Sequence, residues 1–299
     1  MNKTGKAIPS LKHTNLFNII NTSIMLLIVI ITLFPFIRIL VSSISDPLLV
    51  MQNKITLIPK GITLGNYRVV FSNNMIVLSY WNTIKYTSLG TLINVVFTVL
   101  MAYPLSRKRF LGRIIFMKMI AFTLLFGGGI IPTFIVVKTL GLNNKIWAVV
   151  LLGAVNTWYL IITRTFFDTL PASLEESAVI DGCNDIQVFL RIMLPLSTPI
   201  LATITLFYAV NHWNSYFVPM IYLNDKEKYP LQIFLRNLLI VGEMSHYAGR
   251  TSGSSDQFTF VSQSIKYTAI VVTTLPIILV YPFLQKYFVK GVMIGSIKG

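Results

Sequence analysis

Acidic side chains, which can transfer protons, bind metals or form ion pairs, are concentrated in one short part of this 299-residue chain. Half of the ten Asp and Glu residues lie between positions 168 and 185. They are Asp168, Glu175, Glu176, Asp181 and Asp185. Catalysis would require further groups that converge on these acids, whereas docking on another protein requires only that the acids be displayed.

The residues that usually complete a catalytic or metal site are too scattered to do so here. The three histidines are far apart in the sequence: His13, His212 and His246. The single cysteine, Cys183, excludes an internal disulfide, a cysteine-based zinc site and a redox pair. No G-x4-G-K-S/T sequence occurs, so we expect no phosphate-cradling loop and no ATP hydrolysis by this chain alone. The sequence therefore predicts a non-enzymatic protein without a metal site or cofactor of its own.

The acidic segment also carries strong helix start and stop signals. Pro171 precedes Ser173-Leu174-Glu175-Glu176, a capping box in which Ser173 and Glu176 exchange side-chain-to-backbone hydrogen bonds. This predicts a short helix over 174–181, ended by Gly182, because glycine adopts the left-handed conformation without a Cβ penalty. Asn184-Asp185-Ile186-Gln187 repeats the start signal and predicts a second short helix. Its expected apolar side consists of Ile186, Phe189, Leu190 and Met193.

The composition indicates that these short helices belong to a membrane protein. Hydrophobic residues make up 54% of the chain, charged residues 12%, and the mean hydropathy is +0.71. A soluble domain carries about 25% charged residues, and half that density cannot cover a surface that faces water on every side. Six stretches of at least 18 residues contain no Asp, Glu, Lys or Arg: 13–37, 86–106, 119–137, 146–163, 192–224 and 267–285.

These six stretches predict an all-α membrane protein with six transmembrane helices. About 20 mostly apolar residues cross the hydrocarbon core as a helix, in which every backbone N–H and C=O is satisfied internally. A β-barrel would need strands of about ten residues with alternating polarity, and the stretches do not alternate. None of them contains an acid that could couple an ion gradient to transport, which argues against a secondary transporter.

The basic residues predict the orientation in the membrane. The net charge of +15 is interpreted as membrane topology and not as nucleic-acid binding, because Lys and Arg cluster beside the predicted spans. The clusters are Lys3, Lys6 and Lys12; Arg107, Lys108, Arg109 and Arg113; and Lys286, Lys290 and Lys298. Both termini are therefore expected in the cytoplasm. The expected parts are an N-terminal tail 1–15, a transmembrane domain 16–290 with a core of about 80–285, a cytoplasmic loop 168–195, an external loop 224–263 and a cytoplasmic tail 286–299.

The cytoplasmic loop contains a motif of fixed spacing. Glu176-Ser177-Ala178 is followed after three residues by Gly182, and after nine more by Ile192-Met193-Leu194-Pro195. This pattern resembles the signature E-A-A-x3-G-x9-I-x-L-P of ABC importer permeases, with Ser177 as the one departure. The resemblance implies that the loop docks into a groove of an ATPase. The coupling residues it implies are Glu175, Glu176, Ser177, Ala178, Asp181, Gly182, Ile192, Leu194 and Pro195.

Other segments resemble the carbohydrate branch of these permeases, which includes the maltose permease subunit MalG. Residues Trp213–Pro219 are similar to its W-N-x-(aromatic)-x-x-P stretch, and residues 287–299 are similar to its closing F-x-K-G…G-x-x-K-G tail. Residues Gly127–Thr133 are similar to the LplC/YtcP-like branch, which is linked to pectin-derived and other polysaccharide fragments. The resemblance therefore implies the type I importer permease fold and inward transport of oligosaccharides by alternating access.

The resemblance also implies partners and a location. ATP and Mg would be bound by two separate ATPase subunits. A second homologous permease chain, an extracytoplasmic solute-binding protein, an oligosaccharide substrate and the lipid bilayer are the other expected partners, with no nucleic acid. The expected location is the bacterial cell membrane, crossed several times. A permease for a non-sugar solute shares the loop but not the aromatic stretch and the tail, and it stays open as the alternative, with a secondary transporter less favoured.

Aromatic and amide side chains in predicted helices four and five are the candidate sugar contacts, because a pyranose has apolar faces and a polar rim. They are Asn156, Trp158, Tyr159, Tyr208, Asn211, Trp213, Asn214 and Tyr216. Polar residues in a spanning helix usually face the bundle interior or a water path. Hydrogen bonding between helices and anchoring at the membrane interface also explain the same residues, and the sequence alone favours that explanation over sugar binding. Gly127–Gly129, followed by Pro132, is expected to loosen helix three near mid-membrane.

Overall fold

The computed structural model of the protein describes residues 12–72, 74–248 and 265–279. These residues form helices and connections, with no strand among them, so the all-α prediction is confirmed. The α-helices are α1 (Lys12–Ser43), α2 (Pro47–Met51), α3 (Gly65–Ser72), α4 (Asn74–Ser106), α5 (Arg113–Leu125), α6 (Ile130–Thr139), α7 (Ile146–Val150), α8 (Thr157–Thr169), α9 (Ala172–Ile180), α10 (Asp185–Val188), α11 (Leu194–Leu196), α12 (Thr198–Trp213), α13 (Phe217–Tyr222), α14 (Leu231–Ala248) and α15 (Ile265–Leu279). A π-helix (Phe189–Met193) and a 3-10 turn (Lys226–Lys228) complete the set.

The chain divides into two compact units, of which the first comprises residues 1–70 and 242–271. Its helix α1 contains a 28-residue apolar stretch, Leu16–Ser43, whose side chains are almost all exposed, as expected for a helix that faces lipid. Val41 in the last turn of α1 forms a small core with Val50 and Ile55. Asp46 begins α2 because its carboxylate accepts a hydrogen bond from the Leu48 backbone N–H at 2.8 Å.

The second unit, residues 71–241 and 272–299, is organised around α4. This helix makes its most extensive contacts with α12 and α8. Buried hydroxyl and amide side chains lie three to eight residues apart along α4: Ser79, Thr83, Thr91, Asn94 and Thr98. Such small and polar residues let membrane helices approach closely and form hydrogen bonds across the interface. The polar stripe therefore accounts for the central position of α4.

Tyr208 forms the clearest of these bonds between helices. Its hydroxyl lies 2.7 Å from the Thr98 hydroxyl of α4 and accepts a hydrogen bond from the Asn156 backbone N–H at 2.9 Å. The Asn156 side chain in turn caps α8 by accepting bonds from the backbone N–H groups of Trp158 and Tyr159. One buried phenol thus connects α4, α12 and the start of α8.

Predicted helix three is not continuous. The stretch 119–137 is divided between α5 and α6, which are bent by 116° at a break of four residues. Gly129 in this break has a φ of +78°, a value that L side chains rarely adopt. The expected loosening at Gly127–Gly129 is therefore confirmed, but as a sharp change of direction and not as a local weakening of one helix.

Predicted helices four and five are also divided. Within 146–163, α7 ends at Val150 and α8 begins only at Thr157, after the Asn156 cap. Within 192–224, a 78° bend precedes α12, and α12 ends at Trp213 before α13 begins at Phe217. The absence of charges indicates that a stretch can lie in the membrane, whereas helix caps and breaks depend on individual Asn, Gly and Pro residues. That difference explains why continuous spans at these places were wrong predictions.

The number of spans follows only in part from the helices. Two described helices, α1 and α4, are long and apolar enough to cross a membrane. The count of possible spans among the described residues rises to four if two bent pairs, α5 with α6 and residues 185–196 with α12, are each counted as one span. Of predicted helix six, 267–285, the structure describes the part in α15, up to Leu279. Several predicted features lie outside the described residues. They are the basic residues Lys3, Lys6, Lys286, Lys290 and Lys298, residues 249–264 of the predicted external loop, and the tail 287–299.

The contact between α4 and α12 at Gly90 is a test of this packing. A Cβ at Gly90 would lie 2.5 Å from two atoms of the His212 ring, whose Nε2 is 3.1 Å from the Asn94 side-chain amide. We expect Gly90→Ala to separate the helices and to lower the free energy of unfolding by about 1–3 kcal/mol. The midpoint of heat-induced aggregation in detergent measures this change.

Gly127→Ala provides the matched control, because a Cβ at Gly127 meets nothing within 4 Å and the backbone there is not left-handed. The double variant Gly90→Ala/His212→Ala removes the clash and should recover part of the loss. An unchanged midpoint for Gly90→Ala would show that α4 and α12 are not packed as described.

Candidate functional site

The acidic segment begins with α9 at Ala172, two residues before the predicted start. Pro171 occupies the N-cap position, and no side chain caps the helix, so the predicted capping box of Ser173 and Glu176 is wrong. Proline fixes its own φ at a helical value and has no N–H to satisfy, which makes it a suitable residue at a helix start. The start of α9 is therefore set by the backbone of Pro171 and not by the Ser173 hydroxyl.

The end of α9 has the geometry that the sequence predicts. Gly182 has a φ of +83°, its N–H donates to the Val179 carbonyl at 3.0 Å, and the Cys183 N–H donates to the Ala178 carbonyl at 2.9 Å. This pair of bonds is the Schellman motif, which satisfies carbonyls that the helix end leaves open. The turn directs the chain from α9 into α10.

The second short helix begins as predicted and then changes its period. Asn184 and Gln187 form a reciprocal capping box at the start of α10. The π-helix Phe189–Met193 follows, in which backbone hydrogen bonds span five residues; Val188 just before it and Met193 at its end are buried. Phe189 and Met193 are buried as expected, but Ile186 and Leu190 are exposed, so only part of the predicted apolar side faces the protein.

The two neighbouring glutamates of α9 have different environments. Glu175 points into the protein, where its Oε1 lies 2.8 Å from Arg107 Nε and accepts a hydrogen bond from the Tyr103 hydroxyl at 3.2 Å. Glu176 is exposed and forms no ion pair with the part of the chain that the structure describes. Of the two acids, Glu176 is thus the one available to another protein.

Several apolar side chains of this segment are exposed beside the acids. Ile180 is 86% exposed and Ile186 68% exposed, although both are large aliphatic residues. Val179 and Leu190 are exposed to a smaller degree, and Ser177, Asp181 and Pro195 are also exposed. Ala178 is buried, and Ile192 and Leu194 pack partly against the core of the second unit. Exposed apolar side chains mixed with acids are typical of a surface that contacts another protein.

A second ion pair joins this segment to the link after α4. Arg109 Nη2 lies 2.6 Å from the Asp185 carboxylate, and both side chains are more than half exposed. The hydrogen bond that Arg109 donates to the Asp185 carboxylate, together with the charge of that carboxylate, raises the pKa of the Arg109 guanidinium above its ordinary value despite slight desolvation. Both arginines of the link, Arg107 and Arg109, therefore bind acids of the segment.

A cavity of about 920 Å³ lies in the second unit, beside α12. Five of the candidate sugar contacts line it: Tyr159, Asn211, Trp213, Asn214 and Tyr216. Tyr159 stacks on Phe207 with ring centroids 5.3 Å apart, and Trp213 is held by a hydrogen bond from its Nε1 to the Thr273 carbonyl at 3.2 Å. The lining is mainly aliphatic and aromatic, its polar groups are amides and hydroxyls, and among the described residues it has no charged side chain.

Three of the sequence candidates do not line this cavity. Tyr208 is 2% exposed and bonded to Thr98, and the Asn156 side chain caps α8, so both hold helices in place. Trp158 is exposed elsewhere. Of the three residues predicted to share one face of α12, Tyr208 therefore packs between helices, whereas Asn211 and Asn214 line the cavity.

Other residues line the cavity without having been predicted from the sequence. They include Thr87, Phe207, Ser215, Phe217 and Pro276. Ser215 and Phe217 follow the end of α12, where Asn214 is the C-cap, and Phe217 begins α13. The Asn214-Ser215 pair could have indicated this helix end, because both residue types often end helices. It lies inside a stretch that was interpreted as one continuous span.

Residues 94–294 match the family described as "Binding-protein-dependent transport system inner membrane component". That range is about two thirds of the chain and includes both the acidic segment and most of the cavity lining. The chain belongs to this family. The spacing of Glu176, Gly182, Ile192 and Pro195 thus occurs in a permease of the kind that the sequence motif implied.

Two curated permeases and one solved structure are similar over nearly the whole chain. The "Polygalacturonan/rhamnogalacturonan transport system permease protein YtcP" of Bacillus subtilis (strain 168) is 45% identical over 95% of this chain and 99% of its own. Protein LplC of the same organism is 45% identical over 90% of each chain. A bacterial ABC transporter involved in the import of the acidic polysaccharide alginate contains a chain with 35% identity and a TM-score of 0.83, covering 95% of this permease and 100% of that chain. The carbohydrate branch predicted from the sequence is thereby confirmed.

The left-handed turn at Gly182 yields a graded test of the motif. A Cβ there meets nothing within 4 Å, so any cost of substitution arises from the backbone at φ +83°. We expect Gly182→Asn to be mild, Gly182→Ala to cost about 1 kcal/mol and Gly182→Val to cost more, because a β-branched side chain resists positive φ. The thermal midpoint of the purified permease gives this order, and equal midpoints for Asn and Val variants would contradict the geometry.

Proposed function

We propose that this chain is one permease subunit of an ATP-driven importer that carries acidic oligosaccharides into the cell. The observation that carries the proposal is the exposure of Glu176, Ile180 and Ile186 on a segment whose spacing matches the ABC permease motif. A lone folded chain gains nothing from exposed aliphatic side chains beside an acid. An ATPase seated on that segment would cover them.

The substrate class is inferred from two relatives. YtcP is named for polygalacturonan and rhamnogalacturonan, and the solved transporter for alginate, described as an acidic polysaccharide. Both names denote polymers of sugars that carry carboxylates. A shared preference in relatives with 45% and 35% identity supports the same class of substrate here, delivered as short oligosaccharides.

The cavity has the side chains that a sugar would need. Tyr159, Trp213 and Tyr216 offer aromatic faces for the apolar faces of a pyranose, and Asn211 and Asn214 offer donors and acceptors for its hydroxyls. With no charged group in the described lining, this chain would bind the rings and hydroxyls of the substrate and not its carboxylates. The volume of about 920 Å³ is in the range of small-molecule sites.

The complete importer would contain two ATPase subunits, a second homologous permease and an extracytoplasmic solute-binding protein. We infer six membrane crossings, with α5 and α6 forming one broken span, and both termini on the cytoplasmic side. We call α9 to α11, residues 172–196, the docking segment. The basic link after α4, which binds Glu175 and Asp185 of this segment, supports a common cytoplasmic position for both. The chain itself would act as a transport subunit and bind no nucleotide.

Transport would follow from movement of the docking segment. ATP binding would close the two ATPase subunits, and α9 to α11 would move with the ATPase surface on which they rest. The helices connected to them would then rotate as rigid bodies between two packed states, so that the cavity opens alternately to each side. ATP hydrolysis would release the subunits and reset the path.

Charge reversal at Glu176 tests the docking segment. We expect Glu176→Lys to reduce ATP-dependent uptake of a labelled trigalacturonate by about tenfold or more, because a like-charge contact at a protein interface costs several kcal/mol. Permease abundance in the membrane should not change, since the side chain is exposed. Co-purification of the ATPase should fall in parallel with uptake.

Glu227→Lys is the control, because it reverses another exposed acid that has no side-chain bond in the described structure. It should leave co-purification of the ATPase unchanged. Normal uptake and normal co-purification with Glu176→Lys would refute the assignment of this segment as the ATPase contact.

Asn211 tests the cavity. Its side chain lines the cavity and is exposed, so Asn211→Ala should preserve folding while removing one hydrogen-bonding partner of the sugar. We expect uptake of trigalacturonate to fall about 2- to 10-fold at equal membrane abundance. Trp158→Ala, which truncates an exposed residue outside the lining, is the control and should leave the rate unchanged. Equal rates for both variants would reject the cavity as the sugar path.

A further inference from the structure

Glu175 is part of the docking segment, but its side chain points into the protein interior. Only 16% of its side chain is exposed, and 11% of that of its partner Arg107. Arg107 lies just beyond the end of α4, the helix around which the second unit is organised. The pair therefore connects α9 to a helix that is distant in the sequence.

The Arg107 side chain contacts several elements at once. Its guanidinium carbon lies 4.8 Å from the centre of the Tyr103 ring, a cation–π distance. Nη1 donates to the Phe167 carbonyl of α8 at 3.4 Å, and Nη2 lies 3.6 Å from the Met193 sulfur of the π-helix. The Nε–H is not directed at Glu175, so the 2.8 Å contact is an ion pair and not an in-line hydrogen bond.

Tyr103 completes the cluster from α4. Its hydroxyl donates to the same Glu175 oxygen that faces Arg107, and its ring packs against Phe167 and Phe189 with centroid distances of 5.7 Å and 4.8 Å. Four elements, namely α4, α8, α9 and the π-helix, thus meet around one carboxylate. Separating them would leave two charges partly buried and unpaired, which is strongly unfavourable.

The Arg109–Asp185 pair provides a contrast on the same two segments. It also joins the link after α4 to the docking segment, at 2.6 Å, but its side chains are 57% and 68% exposed. Water and salt screen such a pair, and exposed pairs contribute little. Two ion pairs between the same segments therefore differ mainly in burial.

We propose that Arg107, Glu175 and Tyr103 form a joint that transmits the movement of α9 to α4, so that Glu175 is a positioning residue and not a contact of the ATPase. The segment is covalently continuous with α8 and α12, and α4 follows it only through non-covalent contacts. While the Arg107–Glu175 ion pair is intact, α4 moves together with α9. This inference rests on the proposed importer function.

The decisive measurement is the amount of sugar moved per ATP hydrolysed. The full complex, with its ATPase and solute-binding protein, is reconstituted in vesicles and supplied with labelled trigalacturonate. We expect Glu175→Gln to keep the ATPase bound and ATP hydrolysis within about twofold of wild type, while uptake falls about fivefold or more. The ratio of transport to hydrolysis therefore falls.

Two further variants separate the joint from a simple structural role. The exchange Arg107→Glu/Glu175→Arg restores opposite charges and should recover part of the lost ratio relative to Arg107→Glu alone. Arg109→Gln breaks the exposed pair from the link after α4, which is not part of the docking segment, and should leave the ratio within about twofold of wild type. If Glu175→Gln fails to reach the membrane, Arg107→Lys, which keeps the charge, replaces it and should give an intermediate ratio.

Three results would overturn the proposal: an unchanged ratio in Glu175→Gln, a parallel fall of uptake and hydrolysis, or loss of the ATPase from that variant. The last would make Glu175 an ATPase contact. Failure of the wild-type complex to bind an ATPase or to move the sugar would instead refute the importer function, and the two failures are thereby distinguishable.

Discussion

The second unit depends on the contact that the polar stripe of α4 makes with α12. In a hydrocarbon environment, apolar side chains gain little by packing against one another, because lipid tails solvate them equally well. Hydroxyl and amide groups such as Thr98 and Asn94 instead find partners on α12, and Gly90 allows the His212 ring to approach the backbone. The positions of the cavity, the docking segment and the break in helix three are all set relative to this central helix.

The same constraint explains which polar residues are structural and which are open to a ligand. Tyr208 and Asn156 lie where three helices meet, and their hydrogen-bonding capacity is used there. Asn211, one turn further along α12, lines the cavity. Residue type alone did not distinguish them, because a buried amide or phenol is equally suited to joining helices and to binding a sugar.

Much of the architecture could be predicted from the sequence, for reasons that can be stated element by element. The absence of charges predicted most of α1 and the part of α4 from residue 86, whereas Lys85 concealed that α4 begins at Asn74. Gly182 and Asn184 predicted the turn and the capping box, because both depend on local backbone chemistry. The period change after Val188 could not be predicted, since a π turn is stabilised by the contacts of Phe189 and Met193 with distant helices. The inward orientation of Glu175 depends likewise on Arg107, which is 68 positions away.

The lining of the cavity has a consequence for the kinetics of transport. A cation in this wall would hold a carboxylated sugar tightly and slow its departure, and conduction requires sites that a solute can leave as well as enter. In the described residues the wall presents Trp213, Tyr216 and amides without any counter-charge. Under the proposed function, a sugar acid would leave this wall readily, and the cycle of the ATPase rather than dissociation from the wall would limit the transport rate.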